Sequence, residues 1–311
     1  LIYLFPAIAL AAAGAWVAER TGNVPKIIYA AGIILLFTAL AIVTWRDYFM
    51  TWANHPEVRV QYETTMTTAI DYLNTKGRGE VVISTISPGR YHSPALAAVT
   101  LDNEDVNLRW FDGRGGLLLP RDESATMVVP GFTPLSPLLV GYLDSAELIE
   151  TIPMRESDLD RPLLFYDLSR ENMLDDWRDR LTPAAGQFGE TVDLAGFELT
   201  PEQASPGEEV SLVTFWKARQ PLEEAIFFTH VLGADGVPLA QADRLDVPGY
   251  SWEAGDSFLQ VHQFKLPANM APGNYQVAVG VYSPIDGRRL PLAAAAGSAD
   301  LFPVVSLTVE P

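Results

Sequence analysis

The chain has 311 residues, about twice the ~150 of an average domain, so its length predicts two soluble domains, or one domain with an anchor. Asp and Glu number 39 against 21 Lys and Arg, a net charge of -18, which excludes the basic surface that nucleic-acid binding requires. There is no cysteine, which excludes disulfides, thiolate metal sites, a Cys nucleophile and a lipid-modified Cys.

A mean hydropathy of +0.11 beside such acidity implies that apolar and charged residues are segregated along the chain. Residues 1–18, LIYLFPAIALAAAGAWVA, and 27–45, IIYAAGIILLFTALAIVTW, carry no charge and no polar stripe. About 18 residues at 1.5 Å each reach roughly 27 Å, close to the ~30 Å of a bilayer core. Residues 1–45 therefore read as two transmembrane helices joined by a short cytoplasmic loop. The competing readings are a signal-peptide apolar region for the first and a buried globular helix for the second. The first has neither a basic flank nor a starting Met. A chain opening on Leu1 inside an apolar run reads as a fragment of a longer polypeptide.

The linker ERTGNVPK carries Arg20 and Lys26 against Glu19, which places it on the cytoplasmic side and everything after Trp45 outside. With those two basic residues and one acidic residue removed from the totals, residues 46–311 hold 19 basic and 38 acidic residues, a net of -19.

Residues 46–185 read as a small extracytoplasmic α/β domain. Tyr62, Met66, Ala69, Ile70 and Leu73 recur at helical spacing until Gly77. VVIST (81–85) is a short strand, SPGRYHSP (87–94) a loop, and ALAAVTL (95–101) a helix. Segments 106–111, 116–120, 126–130 and 163–168 read as strands, 136–150 and 170–181 as helices, and 183–190 as the turn-rich domain boundary. Loops at strand ends are where α/β layers place ligand groups. Arg90, Tyr91 and His92 in one such loop, with Trp110 and Asp112 at the end of another strand, are the candidate contacts for a sugar or lipid head group. The alternatives are a satisfied loop histidine for His92 and a core position for Trp110.

Residues 186–311 read as an antiparallel β-sandwich. Strand-like runs at 210–218, 225–233, 237–243, 257–267, 274–283 and 304–310 are separated by Pro-Gly, Asp-Gly and Gly-Tyr turn signals. Alternation puts Tyr275, Val277, Val279 and Val281 on one face, facing the core. Trp216 and Trp252 are candidates for stacking on sugar rings, with core burial as the competing reading.

The strings LAGFEL, SPGEEVSL, FWKA, FTHVLGADG, QAD, WEAGD, KLP, APGNY, VGVYSP and DGRRLP follow one another in a familiar order. In that order the chain resembles the C-terminal β-sandwich of bacterial polytopic membrane glycosyltransferases related to the protein O-mannosyltransferases of glycosyltransferase family 39. DYFMTWANHPEV, directly after the second apolar helix, is similar to that family's exit from the membrane. The resemblance runs from about residue 27 to the C-terminus, and departs at GYSW (249–252), where a longer Pro-Thr-containing stretch is expected. It implies a multi-pass protein of the bacterial cell membrane that transfers a sugar from a polyprenyl-phosphate-linked donor. It also implies a catalytic acidic residue in an upstream external loop, so no catalytic residue is carried onto this chain.

The residues themselves add no cofactor or metal site. The four histidines are too far apart for HExxH, and there is no Walker A sequence. Asp102, Glu104 and Asp105 lack the EF-hand glycine and read as a solvated turn. The expected partners are the lipid bilayer and the polyprenyl-linked donor, without nucleic acid. The alternative function is a non-catalytic, membrane-anchored surface module that binds carbohydrate or a partner protein.

Overall fold

The computed structural model describes residues 4–20, 22–88, 92–222, 224–293 and 299–311. The chain divides into two compact units, Leu1–Tyr62 and Glu63–Pro311.

In the first unit, α1 (Leu4–Ala18) and α2 (Val24–Trp45) are apolar helices with no buried residues. α2 runs on into a π-helical turn, Arg46–Trp52, and then a short helix α3 (Pro56–Gln61). The continuous stretch Val24–Trp52 is long and apolar enough to cross a membrane, whereas α1 has 15 residues and is shorter. α1 rests on α2 where Gly14 lets the Tyr29 ring approach: a Cβ there would lie 3.1 Å from the Tyr29 hydroxyl, which donates to the Leu10 carbonyl at 2.6 Å.

The second unit opens with α4 (Thr64–Lys76), whose buried residues Met66, Ala69, Ile70 and Leu73 are those that the helical spacing selects. There follow β1 (Gly79–Ser84), α5 (Ser93–Thr100), β2 (Val106–Phe111), β3 (Gly116–Leu119), β4 (Ser124–Pro130) and α6 (Pro137–Val140). Next come β5 (Glu147–Ile152), β6 (Leu163–Ser169), α7 (Arg170–Arg180), β7 (Thr182–Phe188), β8 (Val192–Thr200), β9 (Gln203–Ala204) and β10 (Glu209–Ala218). β11 (Ile226–Leu232), β12 (Pro238–Arg244), a 3-10 turn (Gly249–Ser251), β13 (Ser257–Lys265), β14 (Gly273–Tyr282) and β15 (Phe302–Val309) complete the chain.

Among the described residues the strands form three five-stranded sheets in the orders β2-β1-β4-β6-β5, β3-β13-β10-β8-β7 and β12-β11-β14-β15-β9. In the first, β1 runs parallel to β2 and β4, while β6 returns antiparallel to β4. The apolar run of β1 is explained by burial on both sides. Val81 and Ile83 pack with α4 residues, whereas Val82 belongs with Phe111, Met127 and Val129 to the large core shared with the other two sheets. In that core Phe227 of the third sheet meets Trp216 and Phe258 of the second, with ring centroids 4.5 and 5.7 Å apart.

Several sequence readings change here. The segment 136–150 is a helix only over Pro137–Val140; Glu147–Ile152 is an edge strand, because its exposed Leu148 and Ile149 leave it no buried helical stripe. The turn-rich 183–190 is largely strand β7, paired with β8. Residue 185 is therefore no break between domains. Segment 116–119 crosses that expected boundary as well, since β3 pairs with β13, Leu118 opposite Phe258.

Two sets of ion pairs around buried carboxylates add to this joint. Arg109 on β2 reaches Glu80 at 2.6 Å and also bonds Asp256, which accepts the backbone N–H groups of Arg121 at 2.7 Å and Glu253 at 2.5 Å. Asp246 accepts from Arg244 at 2.6 and 2.8 Å and from Gln260 at 2.7 Å, and its carbonyl takes the Asp112 N–H at 2.7 Å.

Candidate functional site

In the first sheet the chain leaves β1 through α5 to reach β2 on one side, and later places β4 on the other. The carboxyl ends of β1 and β4 thus form a topological switch point, the place where parallel layers open a crevice. Its floor is fixed by reciprocal bonds: the Ser84 hydroxyl donates to the Thr133 carbonyl and the Thr133 hydroxyl to the Ser84 carbonyl, both at 3.0 Å. The Ser84 hydroxyl also accepts the Gly113 N–H at 2.9 Å; a Cβ on Gly113 would stand 2.7 Å from that oxygen, so only glycine fits without a shift. Beside it the Thr85 hydroxyl donates to that of Ser93 at 3.1 Å, tying the end of β1 to the start of α5.

Among the described residues near this edge, two non-glycine residues have left-handed backbone, Glu63 (φ 50°) and His92 (φ 58°). Such a φ is uncommon for residues with a Cβ and is held only by its surroundings. The two side chains face each other, His92 Nδ1 lying 3.7 Å from Glu63 Oε1. The opposite wall is the loop before β6. The Gly131 N–H donates to the Asp160 carbonyl at 3.1 Å, and a Cβ on Gly131 would lie 2.2 Å from the Arg161 carbonyl oxygen. That close approach brings Asp160 within reach of Thr65. Burial, and then the neighbouring Asp158 charge, push the Asp160 carboxyl above its usual range, while the hydrogen bond from Thr65 opposes them. Along the same loop lies a groove of about 520 Å³ lined by Met154, Glu156, Asp158, Leu159 and Arg161.

Of the seven residues chosen from sequence, the five described ones do not assemble into one site. Arg90 and Tyr91 lie outside the described residues. His92 is exposed at the crevice, as expected of a loop at a strand end. Trp110 and Asp112 are buried and not presented at the crevice surface. Trp110 is buried among Met66, Val81 and Val128, and Asp112 is buried with its carboxylate held by Arg114 at 2.6 to 3.2 Å.

Trp216 and Trp252 are core residues, at 0% and 1% exposure, and have no face to offer a sugar ring. Trp216 donates to the Thr214 hydroxyl at 2.7 Å, and Trp252 stacks on Phe258 with centroids 4.7 Å apart while donating to the Gln220 carbonyl. Buried indoles satisfy their N–H in this way. Sequence reasoning missed Glu63, Thr65, Asp158 and Asp160. The string SDLDRP carried a signal, since acidic residues before a proline mark a loop, but nothing local says that the next strand returns beside β4.

A second cleft, of about 800 Å³, lies beside α7 and is lined by Arg121, Glu123, Asp167, Arg170, Glu171 and Arg178. Its arginines are already paired: Arg178 with Asp175 of the same cleft at 2.8 Å, Arg121 with Glu253 at 3.0 Å, and Arg170 with the Gly255 carbonyl at 2.8 Å. Among the described residues no group of three or more His, Cys, Asp or Glu is placed to hold a metal ion.

No protein-family model matches this chain, and no curated protein matches it. Among solved structures, the C-terminal domain of Wzt aligns at 13% identity and a TM-score of 0.29, covering 42% of this chain and 81% of that one. A Niemann-Pick type C2 protein from Japanese carpenter ant aligns at 7% identity and a TM-score of 0.25, covering 42% and 96%. Spo0M, a sporulation control protein from Bacillus subtilis, aligns at 19% identity and a TM-score of 0.21, covering 41% and 50%. Likenesses at these TM-scores carry no argument about fold or function. What the chain itself establishes is an apolar helix suited to a membrane, followed by a β-rich unit.

Proposed function

We propose that this chain is the membrane-tethered, extracytoplasmic region of a bacterial polytopic glycosyltransferase that uses a polyprenyl-phosphate-linked sugar. On this reading α1 and α2 are both spans, the first sheet with α4 and α5 is the small α/β layer, and the other two sheets are the terminal β-sandwich. The observation that carries it is the way the resembling strings fall on consecutive elements. LAGFEL lies in β8, FWKA ends β10, FTHVLGADG is β11 with its turn, APGNY leads into β14 and VGVYSP leaves it. These strings supply turns and core positions of the two sheets and not ligand contacts, so the sandwich acts as a support. The polar crevice at the ends of β1 and β4 is the part of this chain that contacts acceptor or donor head group, through His92, Glu63, Thr65 and Asp160. The acidic residue that drives transfer belongs to a part of the polypeptide outside these residues.

The test is sugar transfer by membranes carrying the intact protein, supplied with polyprenyl-phosphate sugars. Transfer is expected, with Asp160→Asn raising KM for the acceptor more than it lowers kcat. Absence of transfer from every donor by folded protein overturns the reading. Saturable glycan binding without transfer would leave the surface module in its place.

A further inference from the structure

The outer end of α2 carries a feature that sugar transfer does not use. Between Trp45 and Tyr62 five aromatic rings form a continuous exposed ladder. Trp45 meets Phe49 at 4.4 Å, Phe49 meets Tyr48 at 5.0 Å, Tyr48 stacks on Trp52 at 4.8 Å, and Trp52 meets Tyr62 at 5.6 Å. All five are between 39% and 61% exposed, which is costly for aromatic surface in water. The backbone beneath is π-helical, with the Ala53 N–H donating to the Tyr48 carbonyl at 3.0 Å. A wider turn loosens the ordinary ladder of bonds, and here the Asn54 side chain donates to the Phe49 and Met50 carbonyls at 2.9 and 3.1 Å. Arg46 and Asp47 pair at 2.8 Å on the same turn.

Helix length fixes where this turn sits. Val24–Trp45 is 22 residues, about 33 Å at 1.5 Å per residue, which already fills a hydrocarbon core of ~30 Å. The π-turn therefore starts where hydrocarbon ends. A charged pair and side-chain-capped carbonyls are costly in hydrocarbon but sustained among head groups, and Trp and Tyr concentrate at that level because one end of each ring system is polar. The ladder also has a counterpart in this unit: Arg20 lies 3.9 Å over the Trp16 ring near the loop that joins the two helices.

We infer that Trp45, Tyr48, Phe49, Trp52 and Tyr62 form an aromatic collar seated in the phospholipid head-group layer, and that the collar sets the depth of α2. Its occupant is the glycerol and head-group zone of the leaflet, not another protein surface. The inference rests on the membrane-tether part of the reading above and is independent of sugar transfer.

Because the chain has no cysteine, single substitutions give unique labelling sites. The full chain would be reconstituted in vesicles of phosphatidylcholine and phosphatidylglycerol, with a nitroxide on Met50→Cys, Ile34→Cys or Leu148→Cys. Depth is read from collisional access to oxygen and to a water-soluble nickel chelate. Met50 is exposed and takes part in none of the ring contacts, so its label leaves the ladder intact. The label at 50 is expected at head-group depth, between a deep one at 34 and a water-exposed one at 148. With Trp45→Ala and Trp52→Ala added, the label at 50 is expected to move by about one helical turn, ~5 Å, while the label at 34 stays in hydrocarbon. A label at 50 as exposed as that at 148, one shielded from both reagents, or one unmoved by the double substitution would overturn the collar while leaving the tether. A water-exposed label at 34 would overturn the tether itself.

Discussion

Between the sheets a fully buried imidazole couples folding to acidity. His262 on β13 places Nδ1 3.3 Å from the Ala242 carbonyl, and its Nε2 has no hydrogen-bond partner among the described residues. Burial pushes its pKa from 6.5 down to about 4; the Ala242 carbonyl opposes that shift and the Arg244 charge adds to it. The native state thus holds His262 neutral, whereas the unfolded chain takes up a proton below about pH 6.5. Stability from this group is fully present above that pH and is lost as pH falls towards the folded value. The drop from 6.5 to about 4, at 1.36 kcal/mol per pH unit, is worth about 3 kcal/mol in full and about 2 kcal/mol by pH 5. The assay is denaturant unfolding of the full chain in detergent, followed by near-UV circular dichroism of the buried tryptophans, at about pH 7 and about pH 5. Carboxylates titrate over the same range, so the quantity to read is the difference from His262→Met, which keeps the volume and removes the proton site. His262→Met should lose about 2 kcal/mol less than wild type over that interval. Equal losses in the two proteins would refute the reasoning.

Other outcomes follow from the joints of the fold. Asp256→Ala leaves Arg109 buried with Glu80 as its remaining acid partner and strips acceptors from Arg121 and Glu253, so it should cost about 3–5 kcal/mol in the same unfolding assay. Trp252→Ala opens a cavity against Phe258 and Phe227 and should also cost about 3–5 kcal/mol, while any glycan binding by surviving folded protein stays unchanged. Gly131→Ala drives a methyl into the Arg161 carbonyl, and should speed proteolysis within 153–162 before it affects the β10–β13 pair.

The parts legible from sequence were those whose signal is local. α4 was visible because Met66, Ile70 and Leu73 repeat at helical spacing and are the residues it buries. The Asp235-Gly236 turn was visible because Gly236 has φ 76°, a conformation that glycine adopts freely. The transfer of β3 to the second sheet was not visible, because GLLL is apolar on both faces and alternation cannot say which sheet such a run joins. Trp216 and Trp252 show the same limit. Composition alone does not separate a core tryptophan from a stacking platform, and the difference lies in Phe227 and Phe258, which arrive from distant strands.

The crevice combines a rigid side with an adjustable one. Its floor is fixed at Ser84 and Thr133 by bonds to backbone, and β1 behind it is buried on both faces, so substitution there would disturb two cores at once. The facing loop meets the floor through the Gly131–Asp160 contact and otherwise exposes Leu159 and lines an open groove. Within 153–162 the exposed side chains, such as Glu156 and Leu159, can change without repacking, whereas Asp158 is buried and Met154 packs on the core beside α4. The position of the edge is held by the β-sheets through Arg109 and Asp256. Loosening the terminal sheets at Asp256 should therefore disturb the crevice edge through Arg109 and β1 even where no crevice residue has been altered.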